Sequence, residues 1–356
     1  MHLAGIGTVF SRGRGIAALE EALRGGWVAP ARKELHTTSG ESMPVYSVDA
    51  EATTDRRVLK RMRRADRFGK MAVLAAWDAV QDGDLALNDG DDGLGIILAT
   101  AFGPHVTAFG FLDEVVEYGD AGPSPTLFSH SVHNAAASYI ASALGSRGPT
   151  LTLTQFAFSF HQALVLADAW IREGRCDRVL VGSAEECGAV MEYACNEKLV
   201  IARDGRIRPF AFDASPVAVL GEGSAFFLLT REETPKHYCE LGGVRFDEEP
   251  SSEAPDLYLL DADGMCGDER GYRKVAERGV EIASYTPLFG SMMTGSAFHC
   301  ACAALILSKQ MRYGCPVADH PHGIEPCTTT GPSELGALRC VRYCGSRDHA
   351  TIELRR

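Results

Sequence analysis

The chain has 356 residues, 46% of them hydrophobic and 23% charged, with a formal net charge of −12. That composition is ordinary for a globular protein, and the acidic balance argues against nucleic acid as a partner. No run of about 18 apolar residues occurs, so no membrane span is expected. The opening Met1-His2-Leu3-Ala4-Gly5-Ile6-Gly7 lacks the basic and long apolar regions of a signal peptide.

From the N-terminus, strand-like and helix-like segments alternate. LAGIGTVF (3–10) reads as a strand, and IAALEEALRGG (16–26) as a helix with apolar residues at helical spacing and a Gly-Gly stop. Seven of the twelve residues in 56–67 are basic. They form either a solvated helix face or a docking patch for an acidic macromolecule. RFGKMAVLAAWDAVQD (67–82) predicts an amphipathic helix with Trp77 on its apolar side. GLGIILATAFG (93–103) is a short apolar run ended by glycine, read as a buried strand. VHNAAASYIASAL (132–144) predicts a helix of small residues able to pack closely, with His130 and His133 flanking its start in packing or capping roles. LTLT (151–154) is a strand, HQALVLADAWIREG (161–174) a helix closed by Gly174, and RVLVGSAEE (178–186) another buried strand.

The second half is less regular. SAFFLLTREE (224–233), LYLLDAD (257–263) and the closing HATIELRR (349–356) read as strands, and SAFHCACAALILSKQ (296–310) as a helix. A composition shift at Arg231–Lys236 marks the expected junction between residues 1–235 and 236–356. The alternation predicts an α/β fold with helix-covered sheets. All eleven cysteines lie between Cys176 and Cys344 at irregular spacings. They read as small buried hydrophobes in a reducing, cytoplasmic compartment, and no ligand spacing supports a metal site.

The stretch 149–164, PTLTLTQFAFSFHQAL, turns from strand into helix, a common place to mount a nucleophile. Gln155, Phe156, Ala157, Phe158 and Ser159 occupy the turn, and none is a cysteine. Phe156, Phe158 and Phe160 alternate around Ala157. They share one face if the segment is extended and diverge if it is helical. They serve either as core filling or as bulk that closes a ligand tunnel. Gly221-Glu222-Gly223 places a carboxylate between glycines before an apolar strand. Glu222 reads either as a structural anion or as a catalytic acid, and must be paired or hydrogen-bonded if buried.

Four segments together resemble the β-ketoacyl synthase family of the thiolase-like fold: LAGIGTVF, SVHNAAASYIASALGSRGPTLTLT, EGRCDRVLVGSAEE and RPFAFDASPVAVLGEGSAFFLL. The resemblance implies a five-layered αβαβα architecture of two pseudo-equivalent halves, dimerising across the strand before the nucleophile. It implies that the family's catalytic positions are vacated here: the cysteine at Ala157, the two histidines at Asp263 and Ser291, and the lysine near Thr286. Gln155 is a weak candidate for a direct chemical role. His161 begins the helix in that register, in a capping or packing role, and Asp263, near Cys266 and Asp268, reads either as part of an acid-base site or as a residue of a solvated loop. The glycine-rich loop near the C-terminus is altered to Tyr343-Cys344-Gly345-Ser346-Arg347.

This pattern resembles chain length factors, the noncatalytic partners of Cys-containing ketosynthases in polyketide and specialised fatty-acid pathways. Phe156, Phe158 and Phe160 would shape a shared pocket. Lys60, Arg61, Arg63 and Arg64 would dock acyl carrier protein, which delivers the acyl groups, so no resident cofactor or metal is expected. Two alternatives stay open: a decarboxylase or acyltransferase of altered chemistry, and a homomeric acyl- or carrier-binding protein.

Overall fold

The computed structural model describes every residue except 36–39, 51–55, 86–90, 248–252, 318–323 and 346. Ser346 of the altered C-terminal loop therefore lies outside the described residues. Ten strands follow one another along the main sheet. In chain order they are β1 (His2–Phe10), β2 (Leu94–Thr100), β3 (Thr150–Thr154), β4 (Arg178–Glu185) and β5 (Gly223–Thr230). They continue as β6 (Cys239–Phe246), β7 (Leu257–Leu260), β8 (Ile282–Ala283), β9 (Ala337–Cys344) and β10 (Asp348–Arg355).

The spatial order is β8-β7-β9-β10-β6-β1-β5-β4-β2-β3. β2 runs parallel to β3 and to β4, and β4 then pairs antiparallel with β5, which pairs antiparallel with β1. The same pattern of pairings recurs as β7 with β8 and β9, β9 with β10, and β10 with β6. β1 and β6 join the two sets through Leu3 opposite Cys239 and His2 opposite Glu240.

Helices cover the strands. α1 (Gly15–Gly25), α2 (Arg56–Met62) and α3 (Arg67–Asp82) lie between β1 and β2. α3 packs on β1, β5 and β4 together with α6 (Ala135–Leu144). Gly5 and Gly7 admit this contact: a Cβ on Gly7 would sit 2.0 Å from the Ala75 carbonyl oxygen, and one on Gly5 2.2 Å from that of Ala79. On the other face, α7 (Ser159–Arg172) and α10 (Ser296–Lys309) share one core with strands of both sets. Residues 296–307 of α10 are all buried, which accounts for a helix apolar on every side.

The second set of strands is thinner. Residues 247–256 alone connect β6 to β7, whereas 11–93 connect β1 to β2. Ten residues cannot hold a counterpart of the 16-residue α3. Ion pairs occupy strand positions there instead. Arg339 and Glu353 stand directly opposite on β9 and β10, Arg339 Nε donates to Glu353 Oε2 at 3.0 Å, and Arg355 Nε donates to Glu353 Oε1 at 2.6 Å.

Helices α4 (His105–Tyr118), α5 (Pro125–His130), α8 (Ala189–Lys198) and the one at Arg270–Ala276 were not expected from the sequence. The helix expected from Val132 begins at Ala135, because His130 closes α5 and bonds Tyr139 Oη at 2.6 Å. The short α9 (Arg270–Ala276) follows β7. Among the described residues, no helix is long and apolar enough to cross a membrane.

Candidate functional site

β3 is an edge strand that ends at Thr154. The chain then makes one tight turn, Phe156–Phe158, and enters α7 at Ser159 rather than His161. Ser159 Oγ pins the turn, accepting the Gln155 N–H at 2.7 Å and bonding the Thr100 carbonyl at 3.0 Å. Phe156 holds a positive φ of 43°, a strained conformation for a bulky residue. Gln155 is exposed on this turn, and Ala157 is buried at 2% exposure.

The turn geometry sends the three phenylalanines apart, so they do not build one plug. Phe156 is 62% exposed against Phe102, Phe158 is half-buried against His161 and Phe246, and Phe160 is in the core against Phe227. His161 does not cap the helix. Its ring is fully buried, neither nitrogen has a hydrogen-bond partner, and burial holds its pKa down at about 4.

Asp263 does not lie in a solvated loop. It is 4% exposed and accepts the Met265 N–H at 3.0 Å. Arg342 Nη1 lies 3.2 Å from Asp263 and 3.0 Å from Asp261. Burial raises the Asp263 carboxyl despite Arg342. Asp261 stays well below the carboxylate range, because His299 (Nδ1 at 2.9 Å), Arg342 and Ser296 outweigh its burial. Thr286 Oγ1 donates to the Asp261 carbonyl, and Ser291 Oγ accepts the Val219 N–H at 3.0 Å. These positions knit the backbone together and present no imidazole or ammonium. A carboxylate at Asp263 has the wrong sign to stabilise an enolate or oxyanion.

A small cavity of about 30 Å³ lies beside them, bordered by Phe102, Glu185, Glu186, Met265, Ser291 and Met293. That volume suits a water rather than an acyl chain. Glu185 accepts the Ala101 N–H at 2.6 Å and Glu186 that of Val106 at 2.9 Å. Burial raises their pKa values to about 7 and about 8, while burial lowers that of His105 to about 4.

The signs make a testable pH profile. Glutamates with raised folded pKa values contribute stability that is lost as pH rises toward those values. The lowered histidines lose stability only below about 6.5. Unfolding free energy should therefore fall between about pH 6.5 and 8, by up to roughly 1.4 kcal/mol per pH unit for each glutamate. Urea titrations across that range should show the fall, and Glu186→Gln should reduce its slope, with Glu185 and with Glu269, which burial also raises to about 8, supplying the remainder. A flat wild-type profile contradicts the assignment.

Glu222 is a partnered structural anion at 1% exposure. It pairs with Arg67 through both carboxylate oxygens and accepts the Val48 N–H at 2.7 Å and the Cys187 N–H at 3.0 Å. Both flanking glycines are sterically required: a Cβ on Gly221 would meet the Phe289 carbonyl at 2.3 Å and one on Gly223 that of Val9 at 2.5 Å. Arg67 thus leaves the basic run, and Arg61 Nη1 donates to the Ala143 carbonyl at the end of α6. Lys60, Arg63 and Arg64 are exposed. The sequence reading missed the Asp261–Arg342–His299 network. Its signal was a pair of acidic residues after one strand and an arginine inside another.

Residues 4–234 match the family described as beta-ketoacyl synthase, N-terminal domain. The chain belongs to the beta-ketoacyl synthase family. Nodulation protein E of Rhizobium meliloti (strain 1021) is 26% identical over 250 residues, which are 67% of this chain and 58% of that protein. The chain thus spans under two thirds of the length of the curated relatives it matches. Among solved structures, the ishigamide ketosynthase/chain length factor aligns with a TM-score of 0.79 at 16% identity, over 99% of this chain and 98% of that one. A type II PKS acyl-carrier protein in complex with its ketosynthase bound to the hexaketide (AntDE:AntF) aligns with a TM-score of 0.76 at 17% identity, over 99% and 98%. These likenesses show a mixed α/β, thiolase-like fold over the whole chain.

Proposed function

We propose that the chain is a noncatalytic, chain-length-factor-like subunit that pairs with a Cys-containing ketosynthase in polyketide or specialised fatty-acid biosynthesis. The observation that carries this reading is the contrast within the site. The strand-to-helix turn is kept on an exposed edge strand, while Asp263, Ser291 and Thr286 are buried structural residues. We read the recurring strand pairings as two pseudo-equivalent halves, 1–235 and 236–356, in five layers.

A residue that attacks a substrate must be reached by it. The exposed, strained Phe156 meets that requirement and the buried Ala157 does not. We therefore place the vacated nucleophile at Phe156, one residue earlier than the sequence register. Edge strands and clustered exposed apolar side chains call for cover. Leu151 on β3 is 41% exposed, Phe156 62%, and Leu112 and Val116 on α4 are 51% and 86%. A ketosynthase partner would bury such residues, and Phe156 is the ring that would reach its pocket. Lys60, Arg63 and Arg64 remain available to an acidic acyl carrier protein, with salt-sensitive binding.

Co-expression with a Cys-containing ketosynthase from the same genome, followed by native mass spectrometry, tests the pairing. A defined mixed complex is the expected result. A homo-oligomer beside an unbound ketosynthase overturns it. Neither Phe156→Cys nor Ala157→Cys should yield ketoacyl product in a radiolabelled malonyl condensation assay, because Asp263 and Ser291 stand where the resemblance places the family's two histidines. Product from either variant contradicts the noncatalytic assignment.

A further inference from the structure

Two cysteines outside the turn form a unit. Cys266 follows the Gly264-Met265 loop and Cys344 ends β9. Their segments are tied by the Gly345 N–H, which donates to the Cys266 carbonyl at 3.3 Å. The two thiols lie within interaction range of one another. Arg342 Nη2 lies 3.3 Å from Cys266 Sγ, and Met293 Sδ lies 3.9 Å from it. Both cysteines are partly exposed, whereas every other cysteine except Cys315 is buried.

Cys315 and Cys327 also have adjacent backbones, with a 2.7 Å N–H to carbonyl bond. Their sulfurs point elsewhere: Cys327 Sγ toward the Tyr313 carbonyl at 3.4 Å, and Cys315 Sγ toward that of Ile282 at 4.0 Å. Only the Cys266–Cys344 pair combines neighbouring thiols, access and a cation within 3.3 Å of one sulfur. A guanidinium favours the thiolate, which is the reactive form. The neighbouring Cys266, aided by Arg342 against burial, brings the Cys344 thiol down to about 6.

We propose that Cys266 and Cys344 are a redox-reactive dithiol that closes to a disulfide when the chain meets glutathione disulfide. The Cys344 thiolate attacks one sulfur of glutathione disulfide, breaking its S–S bond and releasing one glutathione thiolate. Cys266 then attacks the Cys344 sulfur of the mixed disulfide. A second glutathione thiolate leaves, and the Cys266 proton passes to the leaving sulfur or to solvent. The protein dithiol is oxidised to one disulfide while glutathione disulfide is reduced to two thiols. The new bond ties the end of β9 to the loop carrying Asp263 and Met265, and Met265 borders the cavity.

The test uses the full native chain in glutathione buffers of graded redox ratio, quenched with acid, alkylated with N-ethylmaleimide and mapped by peptide mass spectrometry. Cys266 and Cys344 should lose alkylation together and appear as one linked peptide pair, reversed by dithiothreitol. In Cys266→Ser, Cys344 should instead stall as a mixed disulfide with glutathione. In Cys344→Ser, reaction at Cys266 should slow by at least ~10-fold. Independent alkylation of the two at every ratio, a stable glutathione adduct on Cys344 in the wild-type chain, or a Cys315–Cys327 link forming first each overturns the proposal.

Discussion

Arg342→Met should cost about 3–5 kcal/mol of stability, because it leaves two buried carboxylates without their shared cation. Arg342, Asp261 and Asp263 are each under 5% exposed, and Arg342 Nη1 is within 3.2 Å of both acids. Methionine roughly matches the volume and isolates the loss of charge from the loss of packing. Asp263 can relieve part of the strain by taking up a proton, since burial already raises it; Asp261 is held ionised by His299 and Ser296. Adding Asp263→Asn to Arg342→Met should therefore recover part of the loss, while Asp263→Asn alone should be mild. Urea midpoints for the single and double variants check this. A shift below about 1 kcal/mol for Arg342→Met would remove the network from the fold's supports.

Gly7→Ala should cost about 3 kcal/mol or more, the upper end for overpacking. The added methyl would stand 2.0 Å from the Ala75 carbonyl oxygen and 2.5 Å from the Ala79 nitrogen. Both are backbone atoms of α3, so no side-chain rotation relieves the clash. The helix must lift from β1, thinning the core formed by Phe68, Ala72, Ala76 and Phe226. The α1 glycine Gly25 makes the control: its Cβ would meet only an Arg12 guanidinium nitrogen at 3.1 Å. Thermal unfolding of Gly7→Ala beside Gly25→Ala should separate the two by roughly 4 °C or more; equal midpoints would contradict the close approach.

Most of the sheet was legible because its strands are continuous apolar runs bounded by glycine or charge. β2, β4 and β5 carry few polar residues, and the 67–82 helix was placed to the residue. β9 escaped detection because Arg339 and Arg342 interrupt its apolar pattern. Each is buried with a carboxylate partner that sequence distance conceals: Glu353 for one, Asp261 and Asp263 for the other. The same concealment made Asp263 look solvated. At the turn, residue types show that no cysteine is present, but backbone strain and exposure at each position are not legible in them. Those quantities separate Phe156 from Ala157 only in three dimensions.

The core shared by α7 and α10 has a consequence for how the molecule comes apart. Residues of both strand sets, from Leu3, Ile97 and Phe227 to Leu259, Cys340 and Ile352, lie in that one cluster. The second set carries a smaller cluster of its own around Tyr258, Tyr272 and Val341, but its opposite face is covered by the core shared with α7 and α10. Amide hydrogens of β1 and β10 should consequently exchange with deuterium through the same rare global opening, and a cut after residue 235 should release two pieces that fold only in each other's presence.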